Sequence, residues 1–460
     1  MKKRQTVLAA LALTASVALL AGCSSGGGGN GDSNSKNQFT KKASGTLNYW
    51  GFDNADDVGT SRLDYAAKQL KGVTIKGDQT PFDAQKFTTR VASGNTPDVV
   101  QMSANFVATY AAQGLIMPLD QCFSVHNVKP SSAYYQSVVD DMTYDGHMYG
   151  VPQFFQPPAI ILNETVMKAA GVKDEDLNTS KPDQLVEAVK KMYKESGGTP
   201  TTMGFDPVST GQPGLWILGY GGQIISKDGK PTLDDPKNQK GLEVLKKIYD
   251  AQGGYAKDKS FTDAFDTFGD NNQYVKNQVG AQVNAQWYPN VLMSGANADK
   301  LDISGMPFYN SEGQPFTVSS GTSFVIPVGA KNKDAACAWA INLTNLGAWK
   351  AAGKARADTL ASKGGINTGL FTGSPEADKF IRDTYVKSTG NAGFDKVIAT
   401  YYDVVSHGKS IGTSPAGQQI QTELTNAITS VMLGSKSPEA ALKDAQSSAM
   451  RAYQQASRGK

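Results

Sequence analysis

Aromatic side chains stand next to amides or carboxylates in several separate segments of this 460-residue chain. An aromatic ring packs well against the C–H face of a pyranose, and polar groups beside the ring can bond the hydroxyls of the sugar. The pattern therefore favours binding of a neutral, hydroxyl-rich small molecule. The residues that carry this prediction are Trp50, Asp53, Asn105, Phe154, Gln156, Trp216, Trp287 and Tyr288.

The alternative for each of these aromatic residues is an ordinary place in a hydrophobic core. Phe154 and Phe155 are neighbours, so they cannot both point to the same face of a strand. Asp53 could accept a bond from a hydroxyl group or cap a helix, and the sequence favours neither role. An anionic ligand would call for clustered arginines, which these segments lack.

Catalysis and metal binding are poorly supported by the sequence. Paired acidic residues such as Asp56-Asp57 and Asp234-Asp235 raise the possibility of a glycosidase, but they are typical of solvated turns. No GxSxG nucleophile motif occurs, and the cysteines and three histidines lack metal-ligand spacing. We therefore predict no enzymatic activity, no cofactor and no metal.

The N-terminus has the composition of a secretory signal. Lys2, Lys3 and Arg4 precede an apolar run from Val7 to Ala21, which is shorter than a bilayer-spanning helix requires. Leu20-Ala21-Gly22-Cys23 matches the lipobox of bacterial lipoproteins, in which the cysteine thiol is acylated. We predict a signal peptide over residues 1–22, a lipid anchor at Cys23 and a position on the outer face of the cytoplasmic membrane.

A polar tether follows the predicted anchor. Residues 23–43 are mostly Ser, Gly, Asn, Asp and Lys, a composition that buries too little apolar surface to fold. A Gly-rich segment of this length spans on the order of 25 Å, enough to hold a globular body clear of the lipid headgroups.

The charge balance argues against binding to nucleic acid. The chain has 45 basic and 42 acidic residues, and loss of the signal peptide would leave equal numbers of each. No long basic run or basic amphipathic helix is present, so nucleic acid and anionic membrane surfaces are poor partners.

We expect the protein to be a monomer.

The two other cysteines are Cys122 and Cys337, and outside the cytoplasm, where we predict the protein to lie, disulfides can persist. Cys337 lies in a predicted helix with a small apolar face, far from Cys122 in the sequence. We expect two separate buried thiols, with a disulfide as the alternative.

Strand-like and helix-like segments alternate from Thr46 onward and predict a mostly parallel sheet flanked by helices. Further helices are predicted to begin at Pro182 and, capped by Ser437, at Pro438. Ser323–Val328 reads as a strand, and Pro327 suggests that this strand is an edge or a crossing segment.

Five segments together resemble the large extracellular solute-binding proteins of ABC importers, a group that includes oligosaccharide-binding lipoproteins. Each segment is similar to a short pattern of that family, and they occur in the family's order. The segments are Arg90-Val91-Ala92-Ser93-Gly94-Asn95-Thr96-Pro97-Asp98-Val99-Val100, Gln113-Gly114-Leu115-Ile116-Met117-Pro118-Leu119-Asp120, Asp145-Gly146-His147-Met148-Tyr149-Gly150-Val151-Pro152, Val279-Gly280-Ala281-Gln282-Val283 with Trp287, and Asn332-Lys333-Asp334-Ala335-Ala336 with Trp339.

The resemblance implies a periplasmic-binding-protein-like fold: two α/β lobes, a hinge and a ligand cleft between them. It implies a first lobe of residues 44–154 and 321–368, and a second lobe of 155–320 and 369–460. Loops after the strands would then bring the aromatic and amide residues into the cleft.

The function implied is capture of a small solute, a mono- or oligosaccharide, and its delivery to the membrane subunits of an ABC permease. A peptide or another neutral organic solute in the same fold is the first alternative. A surface glycosidase or an adhesin is a more distant one.

Overall fold

Fifteen strands and eighteen α-helices are assigned in the computed structural model, which describes residues 38–52, 55–208 and 211–458. The predicted signal peptide, Cys23 and Asp53 lie outside the described residues. The strands are β1 (Gly45–Trp50), β2 (Val73–Asp78), β3 (Val99–Ser103), β4 (Thr143–Tyr144), β5 (His147–Met148), β6 (Val151–Phe155), β7 (Pro158–Asn163), β8 (Lys194–Ser196), β9 (Thr199–Asp206), β10 (Val279–Ala285), β11 (Ile303–Met306), β12 (Phe308–Tyr309), β13 (Pro315–Val318), β14 (Gly321–Val325) and β15 (Gly408–Lys409).

The helices are α1 (Asp57–Gln69), α2 (Ala84–Ala92), α3 (Val107–Ala112), α4 (Asp120–Val125), α5 (Pro130–Ala133), α6 (Gln136–Met142), α7 (Glu164–Ala170), α8 (Pro182–Met192), α9 (Pro213–Gly219), α10 (Pro236–Asp250), α11 (Tyr255–Thr262), α12 (Tyr288–Ser294), α13 (Lys333–Thr344), α14 (Leu346–Lys363), α15 (Pro375–Tyr385), α16 (Ala392–Val404), α17 (Gly417–Met432) and α18 (Pro438–Ser457). No helix in the described part of the chain is both long and apolar enough to cross a bilayer.

Two five-stranded sheets organise the structure into two α/β lobes. The first sheet has the strand order β2-β1-β3-β14-β6, and the second has the order β11-β7-β10-β9-β8. Both are mixed: β1, β2 and β3 are parallel, whereas β14 is antiparallel to β3 and β6, and β7 is antiparallel to β10 and β11. The predicted parallel arrangement is confirmed for β1, β2 and β3, and chain segments that cross between the lobes add antiparallel strands to each sheet.

Helix ends follow local chemistry where the sequence predicted them. Pro182 begins α8, since its fixed φ suits the first turn and its missing N–H is not needed there. Ser437 caps α18, accepting a bond from the Ala440 backbone N–H at 3.2 Å. Asp235, which the sequence placed in a solvated turn, in fact caps α10 through the Lys237 backbone N–H at 2.9 Å.

Two hydrogen-bonded segments connect the first sheet to strands outside it. Gln156 and Pro157 join β6 to β7, while Ser319 and Ser320 join β13 to β14. The backbone N–H of Gln156 donates to the Ser320 carbonyl at 2.8 Å, and the Ser320 hydroxyl donates to the Gln156 carbonyl at 2.9 Å. The two segments therefore form a paired connection between the lobes.

Pro327 does not lie within a strand. β14 ends at Val325 and occupies an interior position of the first sheet, between β3 and β6. Pro327 makes only an isolated bridge to Ile116. The interior position of β14 contradicts the prediction of an edge strand. The alternative prediction, a crossing segment, agrees with the start of β14 directly after Ser320.

The first lobe is closed by a disulfide between Cys122 of α4 and Cys337 of α13. Their Cα atoms are 5.8 Å apart, and both residues are buried in the same core as Trp339. The expectation of two separate thiols was therefore wrong. Nothing in the local sequence signals a pairing between residues 215 positions apart.

The lobe boundaries inferred from the resemblance remain a prediction, and one helix lies differently from that expectation. Ala377 and Ile381 of α15 pack with Trp349 and Ala352 of α14. α14 in turn packs on α1 of the first lobe. The chain after residue 369 thus returns to the first lobe before it joins the second.

Candidate functional site

Three adjacent strands of the first sheet present polar side chains at the same place. The Gln153 side-chain N–H of β6 donates to Gln101 Oε1 of β3 at 2.7 Å and to the Thr322 hydroxyl of β14 at 3.3 Å. Gln153 is fully buried, so these bonds offset the cost of burying its amide. The first lobe therefore supplies a fixed row of two amides and a hydroxyl.

The second lobe contributes the loop after β10. Gln286 and Trp287 follow the strand directly, and Pro289 in the first turn of α12 fixes where the helix begins. Asn290 of α12 accepts a hydrogen bond from the Thr368 hydroxyl at 3.0 Å. This bond links the helix to the segment that follows α14.

These residues surround a cavity of about 340 Å³, here called the amide cavity. Its polar lining combines five carboxamides with two hydroxyls, and its apolar lining includes three aromatic rings. The polar groups are Gln101, Gln153, Gln156, Gln286, Asn290, Thr322 and Thr368, and the rings are Phe154, Trp287 and Phe371.

Two of the amides retain hydrogen-bonding capacity. Among the described residues, no donor reaches Gln153 Oε1 or Gln286 Oε1, although both atoms are buried. A buried acceptor without a donor costs about 1–3 kcal/mol, which a ligand hydroxyl would remove only where the side chain turns toward the cavity. The cavity is thus suited to a ligand with several hydroxyl groups.

The charged groups at the cavity wall neutralise one another. Arg356 Nη2 contacts Asp56 Oδ2 at 2.9 Å and Asp57 Oδ1 at 2.8 Å, and Asp56 also caps α1 through the Gly59 N–H. Burial raises the pKa of Asp57, but the hydrogen bond and charge of Arg356 outweigh it and leave this pKa below its ordinary value. Asp56 and Arg356 are the only charged residues that line the amide cavity within the described chain.

This ion pair was not predicted. Asp56-Asp57 was interpreted as a solvated turn, but Asp57 is mostly buried beneath the Arg356 guanidinium. Arg356 is 299 residues away from Asp57 in the sequence, so no local pattern could have indicated the contact.

A second cavity, of about 210 Å³, lies next to the crossing segments and is here called the serine cavity. Its wall includes Ser103 at the end of β3, Asn105 just after that strand, and Ser319 and Ser320 between β13 and β14. Asp141 also lines it; burial raises the pKa of this carboxyl to about 7, against the effect of hydrogen bonds from Ser319 and Ser410.

A contact between the two lobes closes one side of the serine cavity. The side-chain N–H of Gln418 in α17 donates to the Asn105 carbonyl at 2.8 Å. Of the predicted site residues, Asn105 is the one that lines this second cavity.

Three predicted residues come together at the amide cavity: Phe154, Gln156 and Trp287. The Phe154 ring is held by Trp349, with ring centroids 5.3 Å apart, and by the buried Arg62 guanidinium 5.0 Å above it. Phe155 faces the opposite way into a core with Tyr135, as strand alternation requires.

Trp50 and Trp216 do not lie in either cavity, and both are fully buried. Trp50 packs on Phe82, and its indole N–H donates to the Thr80 hydroxyl at 3.1 Å. The Trp216 N–H donates to the Pro207 carbonyl at 3.2 Å. Neither ring has exposed surface in this conformation, so neither can stack on a ligand without a change of structure, and their ligand contacts stay a prediction.

Tyr288 is also fully buried and lines neither cavity. Its hydroxyl donates to the Thr267 carbonyl at 3.1 Å and lies 2.7 Å from the donating Gln273 amide nitrogen. Direct ligand contact by Tyr288 likewise stays a prediction, since its ring is not exposed in this conformation. Its position behind Trp287 instead gives it a supporting role.

Gln101 is an amide of the cavity that the sequence analysis did not single out. Gln101 carried a usable signal, because it is the one polar residue in the buried run Val99-Val100-Gln101-Met102. No sequence signal marks Thr322, Thr368 or Phe371, because these residues reach the cavity only through the crossing of the chain between lobes.

Two α/β lobes joined by crossing segments, with polar cavities between them, define a bilobal binding protein. Residues 54–348 match the sequence profile of the bacterial extracellular solute-binding proteins, and the chain belongs to this family. It is thus a solute-binding protein of a family that acts outside the cytoplasm.

Related proteins cover most of the chain. A binding protein of Brucella abortus (strain 2308) is 24% identical over 387 residues, which span 81% of this chain and 84% of the relative. The diacetylchitobiose-binding protein DasA of Streptomyces coelicolor is 23% identical over 348 residues, or 72% of this chain and 76% of DasA.

Solved structures share the fold. The structure of CpMnBP1 with mannobiose bound has a TM-score of 0.67 and 22% sequence identity, and the alignment covers 88% of this chain and 99% of that one. At this identity the similarity establishes the bilobal fold.

Proposed function

We propose that this protein captures a neutral mono- or oligosaccharide in the amide cavity and delivers it to an ABC-type permease. The observation that carries the proposal is the convergence of five carboxamides and an exposed tryptophan edge on one cavity whose charges are paired. Carboxamides both donate and accept, as sugar hydroxyls do, and the aromatic ring suits the apolar face of a pyranose.

The relatives support a carbohydrate over other neutral solutes. DasA is named for binding diacetylchitobiose, and CpMnBP1 has mannobiose bound. Both of these ligands are neutral disaccharides, which agrees with a cavity whose charged lining residues, Asp56 and Arg356, are paired with each other.

A sugar panel tests the proposal. The full-length protein would be screened by thermal shift against neutral mono-, di- and trisaccharides, with dipeptides and free amino acids as the comparison set. We expect at least one sugar to raise the melting temperature, and titration calorimetry should then give saturable one-site binding. Stabilisation by peptides alone, with no response to any sugar, would assign the same cleft to a different solute.

Ligand capture is proposed to draw the two lobes together around the crossing segments. Closure would present a different outer surface to the permease, so the membrane subunits could distinguish the loaded protein from the empty one. Small-angle scattering should give a smaller radius of gyration with the sugar at saturation. An unchanged radius would instead indicate a site that forms without lobe movement.

We also propose that the protein binds its sugar without cleaving it. The carboxylate that lines the amide cavity, Asp56, is held by Arg356 and by the first turn of α1, which disfavours a role in proton transfer. Overnight incubation with each binding sugar, followed by chromatography, should return the sugar intact. Release of shorter products would show a glycosidase.

The N-terminal lipid anchor at Cys23 completes the proposal. Its support is the sequence Leu20-Ala21-Gly22-Cys23 after an apolar run, together with membership of an extracellular family. An anchored binding protein keeps its captured sugar close to the permease.

A further inference from the structure

Two exposed aromatic rings lie in contact beside the amide cavity. In the described part of the chain, only four large hydrophobic side chains are markedly exposed: Phe268, Trp287, Val328 and Leu433. Phe268 is the most exposed of these at 74%, and it contacts Trp287, which is 38% exposed. Exposed apolar groups that adjoin one another are a feature of binding surfaces, whereas scattered ones are common on any protein.

The two rings are nearly parallel. Their planes differ by 8° and their centroids are 5.9 Å apart, which is an offset-stacked arrangement. The offset leaves part of each ring uncovered, in agreement with the exposure of both residues. Trp287 lines the amide cavity and Phe268 does not, so the pair extends from the cavity wall outward.

The loop that carries Phe268 is held in place by hydrogen bonds on both sides. The Gly269 N–H donates to the Asp266 carbonyl at 3.0 Å, and the buried Tyr288 hydroxyl donates to the Thr267 carbonyl at 3.1 Å. Beyond the turn, Asp270 Oδ1 accepts from the Ala296 N–H at 2.7 Å. Phe268 is therefore kept exposed by a defined framework.

We propose that Phe268 forms an outer subsite for a second sugar unit, next to an inner unit that stacks on Trp287. The inference rests on the proposed function and deepens it, because it specifies a neutral oligosaccharide of at least two units. A preformed ring in an exposed position also loses little conformational entropy when it binds.

The charges around Phe268 specify the ligand further. Asp266 and Asp270 lie two residues before and two residues after Phe268, so the loop that carries the ring is acidic. Carboxylates accept hydrogen bonds from sugar hydroxyls and repel uronic or sulfated sugars. The outer unit is therefore a neutral one.

Titration calorimetry with sugars of increasing length tests the subsite. Mannose, mannobiose and mannotriose form one series, and glucose, maltose and maltotriose form the other. In a series that binds, we expect Phe268→Ala to weaken di- and trisaccharide binding about five- to tenfold and to change monosaccharide binding less than twofold. Phe268→Tyr keeps the ring and should retain wild-type affinity.

Leu433→Ala provides the matched control, because it removes an exposed apolar side chain elsewhere and should leave every affinity unchanged. The outer subsite would be overturned if Phe268→Ala, with an unchanged melting temperature, weakened binding equally for all sugar lengths or for none of them. The proposed function would then remain intact. If the wild-type protein binds neither series, the same length comparison uses the sugar identified in the wider panel; a wild-type protein that binds no sugar of that panel would count against the proposed function itself, and the subsite would fall with it.

Discussion

The hydroxyl of Tyr288 donates a hydrogen bond to the backbone carbonyl of Thr267 at 3.1 Å. This single bond joins the residue after Trp287 to the residue before Phe268, so it fixes the distance between the two exposed rings. Gln273 donates to the same hydroxyl at 2.7 Å and also to Gln282 of β10 at 2.9 Å. The aromatic pair is thereby tied to the buried strands of the second lobe.

Tyr288→Phe should loosen this loop without unfolding the lobe. Loss of the hydroxyl leaves the Thr267 carbonyl without its donor, which should lower the free energy of unfolding by about 1–2 kcal/mol. Hydrogen exchange in peptides covering 263–272 should become faster. Monosaccharide binding should be retained, because Tyr288 itself is buried and lines neither cavity.

Tyr401→Phe is the matched control for this variant. Its hydroxyl is equally buried and donates to the Asn284 carbonyl at 2.9 Å, so the loss of stability should be similar. Exchange in 263–272 should stay at the wild-type rate. If both variants accelerate exchange there equally, the Tyr288 hydroxyl has no specific role in fixing Phe268.

Trp287→Ala should weaken sugar binding with little loss of stability. A stacking contact of this kind contributes about 1–3 kcal/mol, which corresponds to roughly a tenfold to hundredfold change in the dissociation constant. The side chain is partly exposed and supports little of the core. Calorimetric titration and thermal melting of the same variant measure the two effects separately.

Trp216→Ala makes the complementary comparison. Trp216 is fully buried among Phe205, Phe308 and Tyr220, so its truncation should cost about 3–5 kcal/mol of stability. Protein that remains folded should bind sugar with unchanged affinity. A Trp287→Ala protein that melts as early as Trp216→Ala but binds normally would contradict the stacking role.

Predictions from the sequence were right where local pattern decides the outcome and wrong where distant segments decide it. Periodicity and capping predicted α8 and α18, and the family patterns predicted the two lobes. Trp50 and Trp287 both follow strand-like runs, yet the segment after β2 covers Trp50 with Phe82, while Trp287 stays open. Which ring is covered depends on tertiary packing that neither local sequence reveals.

The disulfide between Cys122 and Cys337 should contribute strongly to the stability of the first lobe. A cross-link that closes a loop of this length constrains the unfolded chain by up to about 5 kcal/mol in the chain-entropy view. The Cys122→Ala/Cys337→Ala double variant should therefore unfold at a clearly lower urea concentration. Sugar affinity at 25 °C should not change, because neither cysteine lines a cavity.

Reductant provides the control for the cross-link. It should destabilise the wild-type protein and have no effect on the double variant. Equal urea midpoints for oxidised wild type and the double variant would mean that native-state strain cancels the gain from the bridge.

Cys23→Ala should release the protein from the membrane. Acylation of this thiol is the predicted means of anchorage, since the mature chain offers no other predicted lipid attachment. Fractionation of expressing cells should move the protein from the membrane pellet to the soluble or uncleaved pool. Ser24→Ala, one residue further on, should leave the distribution unchanged, and a Cys23→Ala protein that still partitions into detergent would contradict lipidation.

Asp378→Asn should remove a pH dependence from the stability of the protein. Burial raises the pKa of the Asp378 carboxyl from its ordinary 3.8 to about 7, although hydrogen bonds from the Thr372 N–H and hydroxyl act in the opposite direction. The folded state therefore holds a proton that the unfolded state has already lost between pH 4 and pH 7. Stability from this group is present below about pH 4 and declines as the pH rises to about 7.

Urea unfolding at intervals from pH 4 to pH 8 measures this decline. The asparagine variant cannot ionise, so its stability relative to wild type should increase steadily over that range and then level off. Any part of the difference between the two curves that does not change with pH would reflect the altered hydrogen bonding of the buried amide. Asp383→Asn, on the same helix but in an exposed pair with Lys379, should follow the wild-type curve. Parallel curves for Asp378→Asn and wild type would show that Asp378 is ionised throughout, with Thr372 compensating for its burial.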